Sequence, residues 1–218
     1  MMSPTIAVVR NEVDADYEYH CDALASHFPD AQELTSPAGE RPDIEGVDGV
    51  VLTGSTAGVY ERNDRPWIGE LEDLVRDLLE RRVPTLGVCF GHQVVNTALG
   101  GTVDHVGTTC RLVDVDLADD PLFSGVSSIV PVAHGDVVTE IGEGMDVIGS
   151  ADYYEAFCTR HREAPLWTVQ FHPEFTPGYR KCLEADFGWT ETGHTFEDVT
   201  ATRVFENFRE IVRRQATR

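Results

Sequence analysis

Lysine is nearly absent from this chain. Lys181 stands alone among 17 basic residues, the rest being arginine, while Asp and Glu number 38 and bring the net charge to −21. No basic stripe exists to meet phosphates, so no nucleic-acid partner is expected. No apolar run reaches the roughly 18 residues of a membrane-crossing helix, so no membrane partner is expected either. The start, MMSPTIAVVRNE, lacks the basic opening and long apolar centre of a signal peptide, and a cytoplasmic location is expected. No CxxC pair occurs. The five cysteines (Cys21, Cys89, Cys110, Cys158, Cys182) are odd in number and scattered, which fits a reducing compartment and gives no reason to expect a metal site or a cofactor. Internal repeats and low-complexity tracts are also missing. The acids are spread along the chain rather than gathered in a tail. They read as a solvated surface suited to a high-salt, halophilic cytoplasm, with a docking face for a basic partner as the competing reading.

What is present is a globular pattern: 41% hydrophobic residues supply a core for one domain over 1–218. The rest of the chain is organised around Val83 to Gly101, VPTLGVCFGHQVVNTALGG. Pro84 to Val88 reads as a buried strand. From His92, the apolar positions Val94, Val95, Ala98 and Leu99 recur at helical spacing. Cys89 therefore falls at a strand-to-helix corner, within Gly87-Val88-Cys89-Phe90-Gly91. A nucleophile elbow requires small residues two before and two after the nucleophile, because the turn is too tight for side chains there. A cysteine at that corner faces the positive end of the helix dipole, which favours an anion. The backbone N–H of Phe90 points where an oxyanion would form. A buried structural cysteine is the plainer alternative, and the two glycines weigh against it.

Upstream, Thr5 to Val9 and Gly49 to Leu52 read as buried strands, Asp14 to Phe28 as a helix, Ala31 to Leu34 as an edge strand and Pro66 to Arg82 as a helix. The Gly54-Ser55-Thr56 turn follows the second buried strand, the end at which open α/β sheets place ligands. The expected architecture is α/β, a mostly parallel sheet flanked by helices. Short strands from Leu112 to Thr159 are expected to append an antiparallel β segment. Pro165 to Phe171 returns to a buried strand and delivers His172-Pro173-Glu174. His172 is the best candidate base, with Glu174 to hold its tautomer. The other seven histidines lack this arrangement and are read as structural or exposed.

GVCFGHQ (Gly87 to Gln93), with TVQFHPEF (Thr168 to Phe175) downstream, resembles the class I, triad-type glutamine amidotransferases, a flavodoxin-like fold. The resemblance runs from Thr5 to about Arg180. Leu52 to Ser55, Pro66 to Ile68 and His134 to Val137 look most like the amidotransferase domain of GMP synthase and its stand-alone relatives. It implies that Cys89 attacks the side-chain amide of L-glutamine, His172 shuttles the proton and Glu174 orients His172. The N–H groups of Phe90, Gly54 and Ser55 would form the oxyanion hole. Gln93, with Ala133, His134, Gly135 and Asp136, would bind the amino-acid end. A γ-glutamyl thioester forms, ammonia leaves and water releases glutamate.

Two departures stand out. The family's oxyanion turn is commonly Gly-Gly-Pro, whereas this chain has Gly54-Ser55-Thr56. The pyrophosphate loop of a synthetase domain is missing, so a separate ammonia-accepting synthetase chain is expected as partner. A stand-alone hydrolase of another γ-glutamyl compound or peptide is the first alternative, and a non-catalytic regulatory module the second. The stretch from Asp186 to Arg218 is expected to be an extension outside the core, a cap or a contact for homo-oligomers.

Overall fold

The structure, a computed structural model, describes residues 4–217. Met1 to Ser3 and Arg218, the ends of the expected domain span, lie outside the described residues. In chain order the elements are β1 (Ile6–Arg10), α1 (Tyr19–Ala25), β2 (Gln32–Thr35), β3 (Gly49–Leu52), α2 (Pro66–Glu80), β4 (Thr85–Val88) and α3 (Phe90–Ala98). Then come β5 (Thr102–Asp114), β6 (Asp116–Leu117), β7 (Ile129–Glu140), β8 (Met145–Ala151), β9 (Tyr154–His161), β10 (Leu166–Val169), α4 (Arg180–Phe187) and α5 (Arg203–Ala216).

Eight strands form one sheet in the order β2-β1-β3-β4-β10-β9-β8-β6. The first five run parallel, and β9, β8 and β6 extend the sheet antiparallel. This is the fold class expected, an α/β sheet with an antiparallel addition. Alternation along each parallel strand sorts side chains between two cores. Ile6 and Val8 of β1 face the core that holds α1 and α5, while Ala7 and Val9 face α2 and α3. Pro66 at the first turn fixes the start of α2, whose Ile68, Leu71, Leu74, Val75 and Leu78 bury against the second face.

Two expectations need correction. The helix expected over Asp14 to Phe28 is a short 3₁₀ turn at Ala15–Tyr17 followed by α1, which stops at Ala25. The strands expected at Ile129 to Val132 and Val137-Val138 are one strand, β7, which pairs with β5 as a separate long hairpin. Register shifts near His105 to Thr109 interrupt the alternation, which is why the sequence reads as fragments. The extension after Asp186 nonetheless joins the hydrophobic core through α5, whose Val204, Phe205, Phe208 and Val212 are fully buried against the sheet. Val212 fits so closely that a Cβ on Gly49 would lie 2.7 Å from its Cγ2.

Four neighbouring parallel strands end on the same rim. β1 leads to Glu12, β3 to Gly54, β4 to Cys89 and β10 to His172. The C-terminal ends of parallel strands are where an open α/β sheet leaves a crevice.

Candidate active site

The elbow takes its shape from sterics. Cys89 has φ 53° and ψ −105°, a conformation costing on the order of 1–3 kcal/mol for a non-glycine residue. A Cβ on Gly87 would lie 2.5 Å from the Gly91 carbonyl oxygen, and one on Gly91 would lie 2.5 Å from that of Leu52. Both glycines are therefore required where they stand. The corner is held by two backbone bonds, Cys89 N–H to Val169 O at 2.9 Å and Gln93 N–H to Cys89 O at 3.1 Å. As the first residue of α3, Phe90 has an N–H with no acceptor inside the helix.

His172 is placed by three contacts. Its N–H donates to Pro131 O at 2.9 Å, its ring stacks on Phe175 at 4.4 Å, and its Nδ1–H donates to Glu174 Oε1 at 2.6 Å. Nε2 lies 3.2 Å from Ala133 O, and Cys89 Sγ lies 3.9 Å from the same oxygen. The thiol and the free edge of the imidazole thus meet at one carbonyl. Burial disfavours charge on His172, but Glu174 and Cys89 more than offset it and hold the ring's pKa well above the usual histidine range. Such a ring carries a proton ready to give to a leaving group.

A cavity of about 220 Å³ opens over these groups. The expected residues Ser55, Cys89, Gln93, Ala133, His134, Gly135, Asp136 and His172 all line it. Gly54 sits against His172, since a Cβ there would be 3.2 Å from the ring's Cε1. Glu174 lies behind His172, fully buried. Gln93 Nε2 donates to Asp136 O and to Gln170 Oε1, each at 3.3 Å. His134 is pinned between Asp136 O at 3.1 Å and the Tyr153 hydroxyl at 3.0 Å, and burial pushes its pKa down to about 4. His92 turns away into the core, to Thr168 Oγ1 at 2.6 Å and the Tyr154 hydroxyl at 2.8 Å.

Sequence reasoning missed some participants. Gln170 lies within the TVQFHPEF motif and donates to Cys89 Sγ at 3.4 Å. His105 and Tyr60 line the cavity, and His105 Nδ1 pairs with Asp136 Oδ1 at 2.8 Å. His20, read as structural or exposed, is buried, faces the cavity and is paired with buried Glu12 at 2.8 Å. Glu12 lies two residues past the end of β1, and an acid at a parallel strand's C-terminal end was the available signal.

The family model described as glutamine amidotransferase class-I matches residues 9–187. The chain belongs to this family. Among curated proteins, this amidotransferase is 30% identical over 131 residues to the glutamine-hydrolysing GMP synthase of Lactobacillus delbrueckii subsp. bulgaricus, covering 58% of this chain and 24% of that protein. It is 36% identical over 128 residues to the glutamine-hydrolysing GMP synthase of Mycolicibacterium paratuberculosis, covering 57% and 23%. The chain thus spans about a quarter of these curated relatives. Among solved structures, a glutamine amidotransferase from Thermotoga maritima superposes with a TM-score of 0.73 at 19% identity, covering 98% of each chain. One from Methylobacillus flagellatus gives 0.70 at 18% identity, covering 100% of this chain and 95% of that one. These two establish likeness of fold. This class I amidotransferase carries no helix, among the described residues, long and apolar enough to cross a membrane.

Proposed function

We propose that this amidotransferase hydrolyses the side-chain amide of L-glutamine and passes the ammonia to a separate synthetase chain. Cys89 Sγ attacks the amide carbon. The oxyanion is held by the N–H of Phe90 and by the Gly54-Ser55 turn, a kind of contact whose loss typically costs 10²- to 10³-fold in kcat. His172 gives its proton to the departing ammonia, leaving a γ-glutamyl thioester on Cys89. Water then attacks the thioester, His172 takes its proton, and glutamate leaves with the thiol restored. Glu174 fixes the tautomer that turns Nε2 toward the thiol. Gln93 and the backbone from Ala133 to Asp136 hold the amino-acid end.

The observation that carries the reading is the strained Cys89 elbow facing the same Ala133 oxygen as a His172 ring backed by Glu174. The synthetase partner is supported by the relatives, glutamine-hydrolysing GMP synthases of which this chain matches about a quarter.

The test is ammonia release from glutamine and other γ-glutamyl amides in molar KCl, with and without a candidate synthetase. Wild-type protein should release ammonia from glutamine and accumulate a mass adduct on Cys89 after acid quench. Cys89→Ser and His172→Ala should each abolish release, because nucleophile and base act on one step. Full activity in Cys89→Ser overturns the mechanism, and release only from a larger γ-glutamyl amide overturns the glutamine assignment.

A further inference from the structure

A second histidine–carboxylate pair adjoins the first. The Glu12 carboxylate, 2% exposed, accepts five hydrogen bonds. They come from His20 Nε2–H at 2.8 Å, from the N–H groups of Val13 at 2.8 Å, Asp14 at 3.0 Å and Thr56 at 2.9 Å, and from Thr56 Oγ1–H at 2.5 Å. Two of these donors belong to the last residue of the Gly54-Ser55-Thr56 turn. The same carboxylate therefore anchors the turn and orients the His20 ring.

That ring faces His172. Their centroids are 6.1 Å apart with an interplanar angle of 77°. Gly54 lies between them: a Cβ there would be 3.2 Å from His172 Cε1 and 3.3 Å from His20 Cε1. The edge of His20 turned toward Gly54 is the Nδ1–Cε1 edge, while Nε2 points to Glu12. Burial opposes charge on His20, and so does the neighbouring His172, but hydrogen bonds to Cys21 Sγ and Glu12 outweigh both and raise its pKa to about 10. At neutral pH the ring is an imidazolium.

The ionisable groups facing His172 come from several elements. Glu174 shares its segment, Cys89 comes from the head of α3, His134 from β7 and His20 from α1. His134 is neutral, its pKa held at about 4 by burial. Glu12, on the far edge of His20, opposes part of the His20 field, and Tyr19 meets the same ring edge-on. Among these groups, His20 is the one paired with a carboxylate of its own that faces His172 from outside its segment, 6.1 Å away between ring centroids.

A proton on His172 serves acylation, when it leaves with ammonia. Hydrolysis of the thioester needs the opposite state. The sulfur then carries no charge, Glu174 still favours the proton, and His172 must be neutral to accept one from water. We propose that His20, oriented by Glu12, is a charge-tuning positioning residue that drives His172 to its neutral form in the thioester intermediate, so that deacylation runs at neutral pH.

The hydrolytic consequence rests on the glutaminase reading, but the electrostatic claim does not, and the test separates them. NMR titration of His172 is carried out in Cys89→Ala protein, whose uncharged side chain stands in for the acylated sulfur. His20→Gln and His20→Phe are compared in this background, each checked for folding by its thermal melt, so that one folded variant suffices. Two unit charges about 6 Å apart at an effective dielectric constant of about 20 to 80, partly offset by Glu12, shift a titration by about one pH unit. The His172 midpoint should rise by that amount when His20 is replaced. In the Cys89 enzyme, the acidic limb of the kcat profile should move up equally and the Cys89 adduct should accumulate. A His172 midpoint that stays put or falls overturns the proposal, since a purely structural His20 would slow turnover without moving it. A shifted midpoint in a protein that never releases ammonia upholds the electrostatics and instead overturns the glutaminase reading.

Discussion

Cys89 can hold φ 53° because its neighbours at both ends of the turn lack side chains. Gly91→Ala would place a methyl 2.5 Å from the Leu52 carbonyl oxygen, at the joint between β3 and α3. That contact is to backbone, so relief requires the helix to move away from the sheet. We expect a loss of about 1–3 kcal/mol of stability from overpacking and a fall in ammonia release of about 10²-fold from displacing the thiol. Urea unfolding and a kinetic assay check both. Gly69→Ala in α2 is the contrast, since nothing lies within 4 Å of its Cβ position. There, relief of backbone entropy in a helix should stabilise by about 0.5–1 kcal/mol. Equal effects at the two glycines would contradict the elbow argument. The same locality explains what the sequence reveals. Cys89, His172 and Glu174 lie in contiguous motifs whose geometry follows from a few adjacent residues. Glu12 and His20 do not. Their direct bond spans only eight residues, but their place beside the site is set by Thr56, 44 residues from Glu12, a contact made only when β1 and β3 lie side by side.

Among the elements, α5 changes most between sequence and structure. Its apolar positions Val204, Phe205, Phe208 and Val212 have helical spacing, so the helix itself is legible. Where that face docks is not, because spacing shows that a stripe must be covered but not by what. The stripe lies on the sheet face shared with α1, and Phe205 meets Phe28 at 5.6 Å in a T-shaped pair. Asn207 Nδ2 ties the helix to Leu122 O at 2.8 Å and Ser124 O at 2.9 Å. Each of these fully buried Val and Phe side chains contributes roughly 1.5–3 kcal/mol of transfer free energy. Phe208→Ala, at a position with no solvent exposure, should therefore cost about 3–5 kcal/mol and leave a cavity under the sheet. Urea titration decides this. A loss under about 1 kcal/mol, the range of ordinary surface substitutions, would mean that α5 is an appendage rather than part of the core. The β5–β7 hairpin teaches a related lesson. Its bulges near His105 break the two-residue alternation, so a long arm reads from sequence as short pieces.

At the scale of the whole molecule, charge dominates. With 38 acidic residues against 17 basic ones, pairing every cation still leaves a net −21. The cations are in fact shared: Arg10 lies between Glu18, Asp22 and Glu33 at 2.5, 2.6 and 2.7 Å. Salt acts on this surface in two opposing ways. It weakens exposed ion pairs, each worth about 0–1 kcal/mol, and it screens repulsion among the excess carboxylates. Repulsion should win, because folding draws all of the acids together while more than half of them have no basic partner among the described residues. The Debye length falls from about 30 Å at 0.01 M to about 3 Å at 1 M, which is enough to silence repulsion between all but adjacent groups. The unfolding midpoint should therefore rise substantially from low salt to molar KCl, and ammonia release at a fixed temperature should rise with it. Chloride is the right anion, since sulfate would strengthen apolar burial by a separate route. A thermal melt in increasing KCl reads the balance directly. A midpoint that falls would mean that the ion pairs outweigh the repulsion. A flat midpoint would remove the salt-adaptation reading and move the acidic surface toward its other role, a docking face for a basic partner.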